Sequence, residues 1–366
     1  MFNQEFVRDW TNGPLLIRND NGYFLREIDI NPFATSNRYV VWDEHIQQVI
    51  FIDSETRTEE TLTPTAALEG DVEVTLADGG KISCHTAFSS FKNILANYSP
   101  ENVSRITGIS VASIEAAASM IGNAKKIAYH SWSGVAQHTN ATQTERAIAT
   151  LYALTGCFDQ EGCNRIYASH PVNVVNSPTL MPKTQWEKAL GLEERPIGPP
   201  SQGWVHSQDI WHSVLEGTPY KIRGLIGFGA NILLSQSDTS LGQQALEALE
   251  FYAHVDLFET PTSKYADILL PVNTAWEREG LRAGFESSAA AQEHIQLRKQ
   301  MVSPRGESRS DLEIVFDLAC RLGMNEAFFD GNIESAWNYQ LKPLGLTVEM
   351  LRNKPEGYDI PLEHKV

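Results

Sequence analysis

The chain is poor in cysteine, in basic charge and in long apolar runs, and each shortage removes a class of function. Cys84, Cys157, Cys163 and Cys320 form no CxxC pair; the closest two, Cys157 and Cys163, are separated by residues 158–162. That spacing suits neither zinc nor an iron–sulfur cluster, so no cluster and no metal ligand set is expected, and the four read as reduced, small core residues of a cytosolic protein. Basic residues number 29 against 46 acidic ones, a net charge of −17, which repels nucleic acid and anionic membranes at long range. No apolar run approaches the roughly 20 residues that span a bilayer. The N-terminal MFNQEFVRDWTNG has neither the basic nor the apolar region of a signal peptide, so a soluble, cytoplasmic chain is expected. Nucleophile signatures are missing too: there is no GxSxG elbow, HExxH or GxxxxGK[ST] loop. This silence favours a chain that positions a cofactor over one that supplies its own reactive side chain.

What is present is a globular composition, 42% hydrophobic and 20% charged, in 366 residues, enough for two domains. Residues 1–84 carry short strand pairs around turn signals: Leu15–Arg18 and Tyr23–Ile28 about Asn19-Asp20-Asn21-Gly22, Val40–Asp43 with Gln48–Asp53, and Val72–Leu76 with Lys81–Cys84 about Asp78-Gly79-Gly80. They read as a peripheral β-hairpin lobe. From His85 the apolar spacing becomes helical, with a helix start at Ser99-Pro100-Glu101 and a short strand at Lys126–His130. Ser131–Asn140 is then a strand-to-helix loop with Gly134, Gln137 and His138 at its tip, ahead of a helix that stops at Gly156. RPIGPPSQG at 195–203 is the best linker, and the domain boundary is placed there. Domains are thus expected at 85–195 and 196–345, with a tail at 346–366.

The second domain carries the pattern of a parallel sheet. Ile222–Phe228, Tyr252–Phe258 and Asp267–Leu270 read as buried strands, with Leu241–Leu249 as the crossover helix between the first two. Ligands of such sheets bind beyond the carboxyl ends of the strands. Four features fall there or nearby. Gly227-Phe228-Gly229-Ala230-Asn231 is a partial GxGxxG, its last glycine replaced by Ile232; it is equally a plain tight turn or a backbone approach for a phosphate or ring, with Asn231 offering donor and acceptor. Asp256 ends the next strand, either as a loop carboxylate or as an acceptor for a ribose or guanine edge. Glu277-Arg278-Glu279-Gly280 is either a solvated charge cluster or a site where Arg278 forks onto a phosphate. Asp311 follows Ser310 at a helix N-terminus.

Several pieces then occur in one order: SWSGVAQHTNATQ, ALTGCFDQEGCN, GFGAN, VDLFETPTSKYADILLPVNTAWEREG and PRGESRSDLEIVFDLACRLG. Together they resemble the molybdopterin oxidoreductases of the dimethyl sulfoxide reductase family, over about Phe6 to Gly323. The resemblance implies two Rossmann-like parallel-sheet α/β domains with helices on both faces, each holding one of two molybdopterin guanine dinucleotides that flank molybdenum or tungsten. It implies that Ser133 and Gln137 contact one cofactor and that Asn231, Val255, Asp256, Arg278 and Asp311 match cofactor-contact positions. A small-molecule substrate is implied as well.

Complete catalytic subunits of that family are considerably longer. They often begin with a cysteine-rich iron–sulfur segment, carry the metal ligand upstream of the point where Met1 falls, and end in a β-barrel. The chain is expected to lack all three, to depend on those parts or on a partner subunit with iron–sulfur clusters, and to be inactive alone. Where relatives have a TNxEGR-like run, it has Arg282-Ala283-Gly284-Phe285-Glu286-Ser287. Two other readings stand beside this one: a non-catalytic nucleotide- or pterin-binding module, and a nicotinamide-dependent dehydrogenase, which the incomplete glycine fingerprint disfavours.

Overall fold

The computed structural model describes residues 2–53, 63–166, 170–175, 180–284 and 288–362. Phe285-Glu286-Ser287 of the departing run, and the last residues of the tail, lie outside these. The chain divides into two compact units, Met1–Ile166 and Tyr167–Lys365. It is a mixed α/β protein, and among the described residues no helix is long and apolar enough to cross a membrane.

In the first unit, β1 (Leu16–Arg18), β4 (Asp71–Thr75) and β5 (Lys81–Thr86) form an antiparallel sheet in the order β1-β5-β4, while β2 (Tyr39–Asp43) pairs with β3 (Gln48–Ile52). The Asn-Gly turn forms with Gly22 at φ +76°, and about the Ile17–Phe24 bridge Arg18 N donates to Tyr23 O at 2.9 Å and Leu25 N to Leu16 O at 2.8 Å. The chain then coils into the short helix Glu27–Ile30, and β1 finds its main partner in β5. Leu16, Leu25, Val40, Val74 and Cys84 make this lobe a core of its own.

Helices follow where the period changed. Pro100–Thr107 is capped by the Ser99 hydroxyl and closed by Gly108 at φ +74°; Ala141–Thr155 is closed by Gly156 at φ +72°. The expected strand Lys126–His130 does not form a ladder. A strand needs a neighbour for its N–H and C=O groups, and the side chain of Asn164 takes them at Tyr129 instead, with Asn164 Oδ1 accepting from Tyr129 N at 2.6 Å and Asn164 Nδ2 donating to Tyr129 O at 2.8 Å. A first parallel sheet is therefore absent among the described residues of this unit.

The second unit holds the parallel sheet. β6 (Gly224–Phe228), β7 (Phe251–Asp256) and β8 (Ile268–Pro271) lie in the order β6-β7-β8, with Gly227 opposite His254 and Val255 opposite Leu270. Helix Thr239–Ala248 makes the expected crossover, burying Ala245 and Leu246 against Trp211, Val214 and Tyr252. The 195–203 stretch is packed instead of serving as a linker: Pro199–Gln202 is a 3₁₀ turn with Pro200 buried, and Arg195 pairs with Asp209 on helix Ser207–Glu216.

A second, antiparallel sheet was not anticipated: β9 (Gly280–Ala283), β10 (His294–Arg298) and β11 (Tyr358–Asp359), in the order β11-β10-β9. Ile295 and Leu297 on β10 are buried with Leu341, Leu346, Val348 and Leu351. The segment expected as a tail from residue 346 is instead part of a core, because helix Val348–Asn353 and β11 pack on β10.

Candidate functional site

The carboxyl ends of β6, β7 and β8 lie side by side, and a fourth short parallel run joins them. Val272 bridges Arg309 in parallel, with Asn273 N donating to Arg309 O at 3.0 Å and Arg309 N to Pro271 O at 3.2 Å. Helix Asp311–Arg321 starts directly after it, under a reciprocal cap between Ser310 and Glu313. One rim therefore collects three strand ends and a helix N-terminus, where unpaired N–H groups and the helix dipole favour anionic groups.

At the β6 end, Gly229 sits at φ +57°, a conformation that glycine adopts without strain, and a Cβ added there would meet no atom within 4 Å. Backbone is thus laid open to the crevice. Asn231 Oδ1 accepts from the buried Thr262 hydroxyl at 2.7 Å, while Thr262 Oγ1 accepts from Leu233 N at 3.1 Å. This fixes the amide and leaves its NH₂ end to donate.

At the β7 end, Asp256 is held from two sides. Leu257 N donates to Oδ1 at 2.7 Å, and His254 Nε2 lies 3.3 Å from Oδ2. His254 is fully buried and its Nδ1 is 2.6 Å from the Tyr252 hydroxyl. Burial, with the Asp256 charge adding to it, pushes the Tyr252 phenol up to about 12. Val255, between them, is fully buried and its carbonyl accepts from Gly229 N at 2.8 Å, so it forms floor and not surface.

Beyond β8 the charge cluster divides its work. Glu277 is buried; it accepts from Thr274 N and Oγ1, each at 2.8 Å, and from Arg305 N at 2.8 Å, and these donors lower its pKa, Thr274 N most. Arg278 pairs with Asp311 at 2.9 Å and has a buried Nε without a hydrogen-bond partner. Glu279 takes Arg352 in a two-bond fork at 2.9 and 2.6 Å, and Arg352 also reaches Glu334 at 2.7 Å. Glu277, Arg278, Glu279 and Arg352 line a cleft of about 270 Å³ with Asn273 and Trp337. Asn273 is only 4% exposed, and its Oδ1 is buried with no partner. Such an acceptor invites a ligand donor, since leaving it empty costs about 1–3 kcal/mol.

The structure therefore sets Asn231 and Asp256 at adjacent strand ends with Val255 buried beneath them, and pairs Arg278 with Asp311 beyond β8. Ser133 and Gln137 lie in the first unit, exposed at opposite ends of one helical turn, Ser133–Ala136, with Gln137 N donating to Ser133 O at 3.1 Å. Sequence reasoning missed Tyr252, His254, Thr262 and Asn273. For the first two a signal existed: Tyr252, His254 and Asp256 alternate, so one strand face carries all three polar groups. Among the described residues no three His, Cys, Asp or Glu side chains converge as metal ligands.

Comparison with known proteins shows the family to which this fold belongs. A family model described as molybdopterin oxidoreductase matches residues 49–321. A dopamine dehydroxylase from Eggerthella lenta is 32% identical over 290 residues, covering 75% of this chain and 28% of that protein. Formate dehydrogenase H from Escherichia coli is 26% identical, over 73% of this chain and 38% of its own length. Among solved structures, acetylene hydratase from Pelobacter acetylenicus shares the fold with a TM-score of 0.66 at 21% identity, covering 75% of this chain and 41% of that one. The chain thus spans well under half the length of the relatives it matches.

Proposed function

The chain belongs to the molybdopterin oxidoreductase family, of dimethyl sulfoxide reductase type, and from that premise we propose that it is the central part of a molybdenum or tungsten oxidoreductase that holds two molybdopterin guanine dinucleotides. One tail lies on the second unit's rim and the other on the Ser133–Gln137 turn of the first unit. The observation that carries this reading is the rim itself, where open backbone at Gly229, a fixed Asn231 amide and the Asp256 carboxylate stand at adjacent strand ends.

The donor set suits a guanine dinucleotide. A carboxylate accepts from the N1–H and 2-amino groups of guanine, the amide of Asn231 donates to ring or ribose oxygens, and glycine backbone admits a phosphate. Arg278 brings a planar fork to the diphosphate side, in balance with Asp311. Val255 supports the floor beneath them. Asn273 supplies a buried acceptor to the same side of the cleft.

Bound metal and pterin supply the redox chemistry on a small-molecule substrate; the residues of this chain bind, orient and shield. Metal-ligand and electron-transfer parts are assigned to other segments or to a partner subunit with iron–sulfur clusters, and the chain by itself is expected to turn over no substrate. Calorimetric titration with GDP and with NADH tests the reading. GDP binding that exceeds NADH binding is expected; NADH bound as tightly as GDP, or more so, contradicts it and restores the dehydrogenase alternative.

A further inference from the structure

Three residues of β7, Tyr252, His254 and Asp256, alternate along one strand face and form a hydrogen-bonded row from the core to the rim. Asp256, as a carboxylate, only accepts, so the hydrogen in the His254–Asp256 contact sits on Nε2. With the hydrogen on Nε2 the other ring nitrogen can accept, and the Tyr252 hydroxyl, 2.6 Å away, is placed to donate to it. Both Tyr252 and His254 are buried, at 1% and 0% exposure, so neither is there to meet solvent. Burying a histidine in a strand is costly unless both nitrogens are paired, and here the pairing runs toward the rim.

We propose that Tyr252 and His254 are positioning residues that lock the Asp256 carboxylate in the orientation that selects guanine over other bases. This rests on the reading of Asp256 as a guanine acceptor. Leu257 N on Oδ1 and His254 Nε2 on Oδ2 hold the carboxylate from the protein side and leave its outer lone pairs for two donors of one base edge. Guanine offers that pair; hypoxanthine lacks the amino group and offers one donor; adenine presents an acceptor at N1. Tyr252 has a distinct part. Without its hydroxyl Nδ1 is a buried acceptor with no donor, and the ring loses the second anchor that keeps Nε2–H aimed at the carboxylate.

The test uses the whole 366-residue chain. Affinities for GDP and for IDP, which lacks the 2-amino group, are measured in the wild type and in H254L, H254Q, Y252F and D256A. The wild type is expected to favour GDP by about tenfold or more, the scale of one hydrogen bond to a charged acceptor. H254L should bring the GDP:IDP ratio to near unity, and H254Q, which restores a donor, should recover part of it. A purely structural role would lower stability and leave the ratio in place.

An unchanged ratio in H254L, beside a ratio lost in D256A, overturns the positioning role while the guanine reading stands. Absence of guanine preference in the wild type overturns both. If H254L does not fold, ¹⁵N spectra of the histidine ring decide: the wild type should show the Nε2–H tautomer with Nδ1 shifted as a hydrogen-bond acceptor, and Y252F should lose that shift. An Nδ1–H or doubly protonated ring in the wild type refutes the proposal.

Discussion

Replacing Gly227 with alanine tests how tightly the polar row on β7 is packed. Gly227 lies opposite His254 in the β6–β7 ladder, and a Cβ there would stand 3.0 Å from the Tyr252 hydroxyl oxygen and 3.5 Å from both His254 Nδ1 and Tyr252 Cε2. Its φ is not left-handed, so alanine meets no backbone penalty. Two effects oppose each other. Alanine restricts the unfolded chain and stabilises by about 0.5–1 kcal/mol. Against this, overpacking a buried site costs about 1–3 kcal/mol, and the hydroxyl has little room to retreat because Tyr252 is buried among Trp211, Leu233 and Leu246.

The second effect should win by about 1 kcal/mol, a fall in midpoint of about 2–4 °C for a unit of this size. Gly224 on the same strand is the control: its Cβ would meet Phe251 O at 3.5 Å, an ordinary contact. Gly224→Ala should be neutral or slightly stabilising. Thermal and urea unfolding of both variants give the comparison. If Gly227→Ala proves as stable as Gly224→Ala, the row is loosely packed and the reasoning fails.

Other outcomes follow from the same geometry. Glu277, whose pKa is lowered by Thr274 and Arg305, contributes stability that is present above the unfolded glutamate value of about 4.3 and lost as pH falls through its folded value. Denaturation of wild type and Glu277→Gln should therefore show a stability gap at pH 6 that narrows progressively as pH falls below the unfolded value of about 4.3; a constant gap would contradict the role of its charge. Burial pushes the Cys84 thiol up to about 11, and the residue has no exposed surface. In timed labelling of the native chain at pH 8, read by peptide mass, Cys84 should be modified well after the partly exposed Cys320; the reverse order would place Cys84 outside the core.

The parts of the site that were legible in the sequence are local ones. Apolar runs ending in Gly229–Asn231 and Asp256 declare strand ends because burial and turn chemistry act within a few residues. Partners far along the chain leave no such mark. Arg305 completes Glu277, Arg352 completes Glu279, and Arg309 extends the sheet beside Val272. β10 shows its alternation at Ile295 and Leu297, yet its partners are β9 and the remote β11, so neither the sheet nor the packing of the last helix was foreseen. Lys126–His130 fails for the opposite reason. Its composition suits a strand, and the neighbour that would make it one is absent from the described residues of its unit.

The central claim, that this chain holds a pterin guanine dinucleotide on the second unit's rim, is tested most directly by native mass spectrometry after incubation with molybdopterin guanine dinucleotide. A bound dinucleotide is predicted for the wild type, with occupancy reduced in Asp256→Ala and in Arg278→Ala. No adduct in the wild type, or occupancy in both variants equal to that of the wild type, would contradict it.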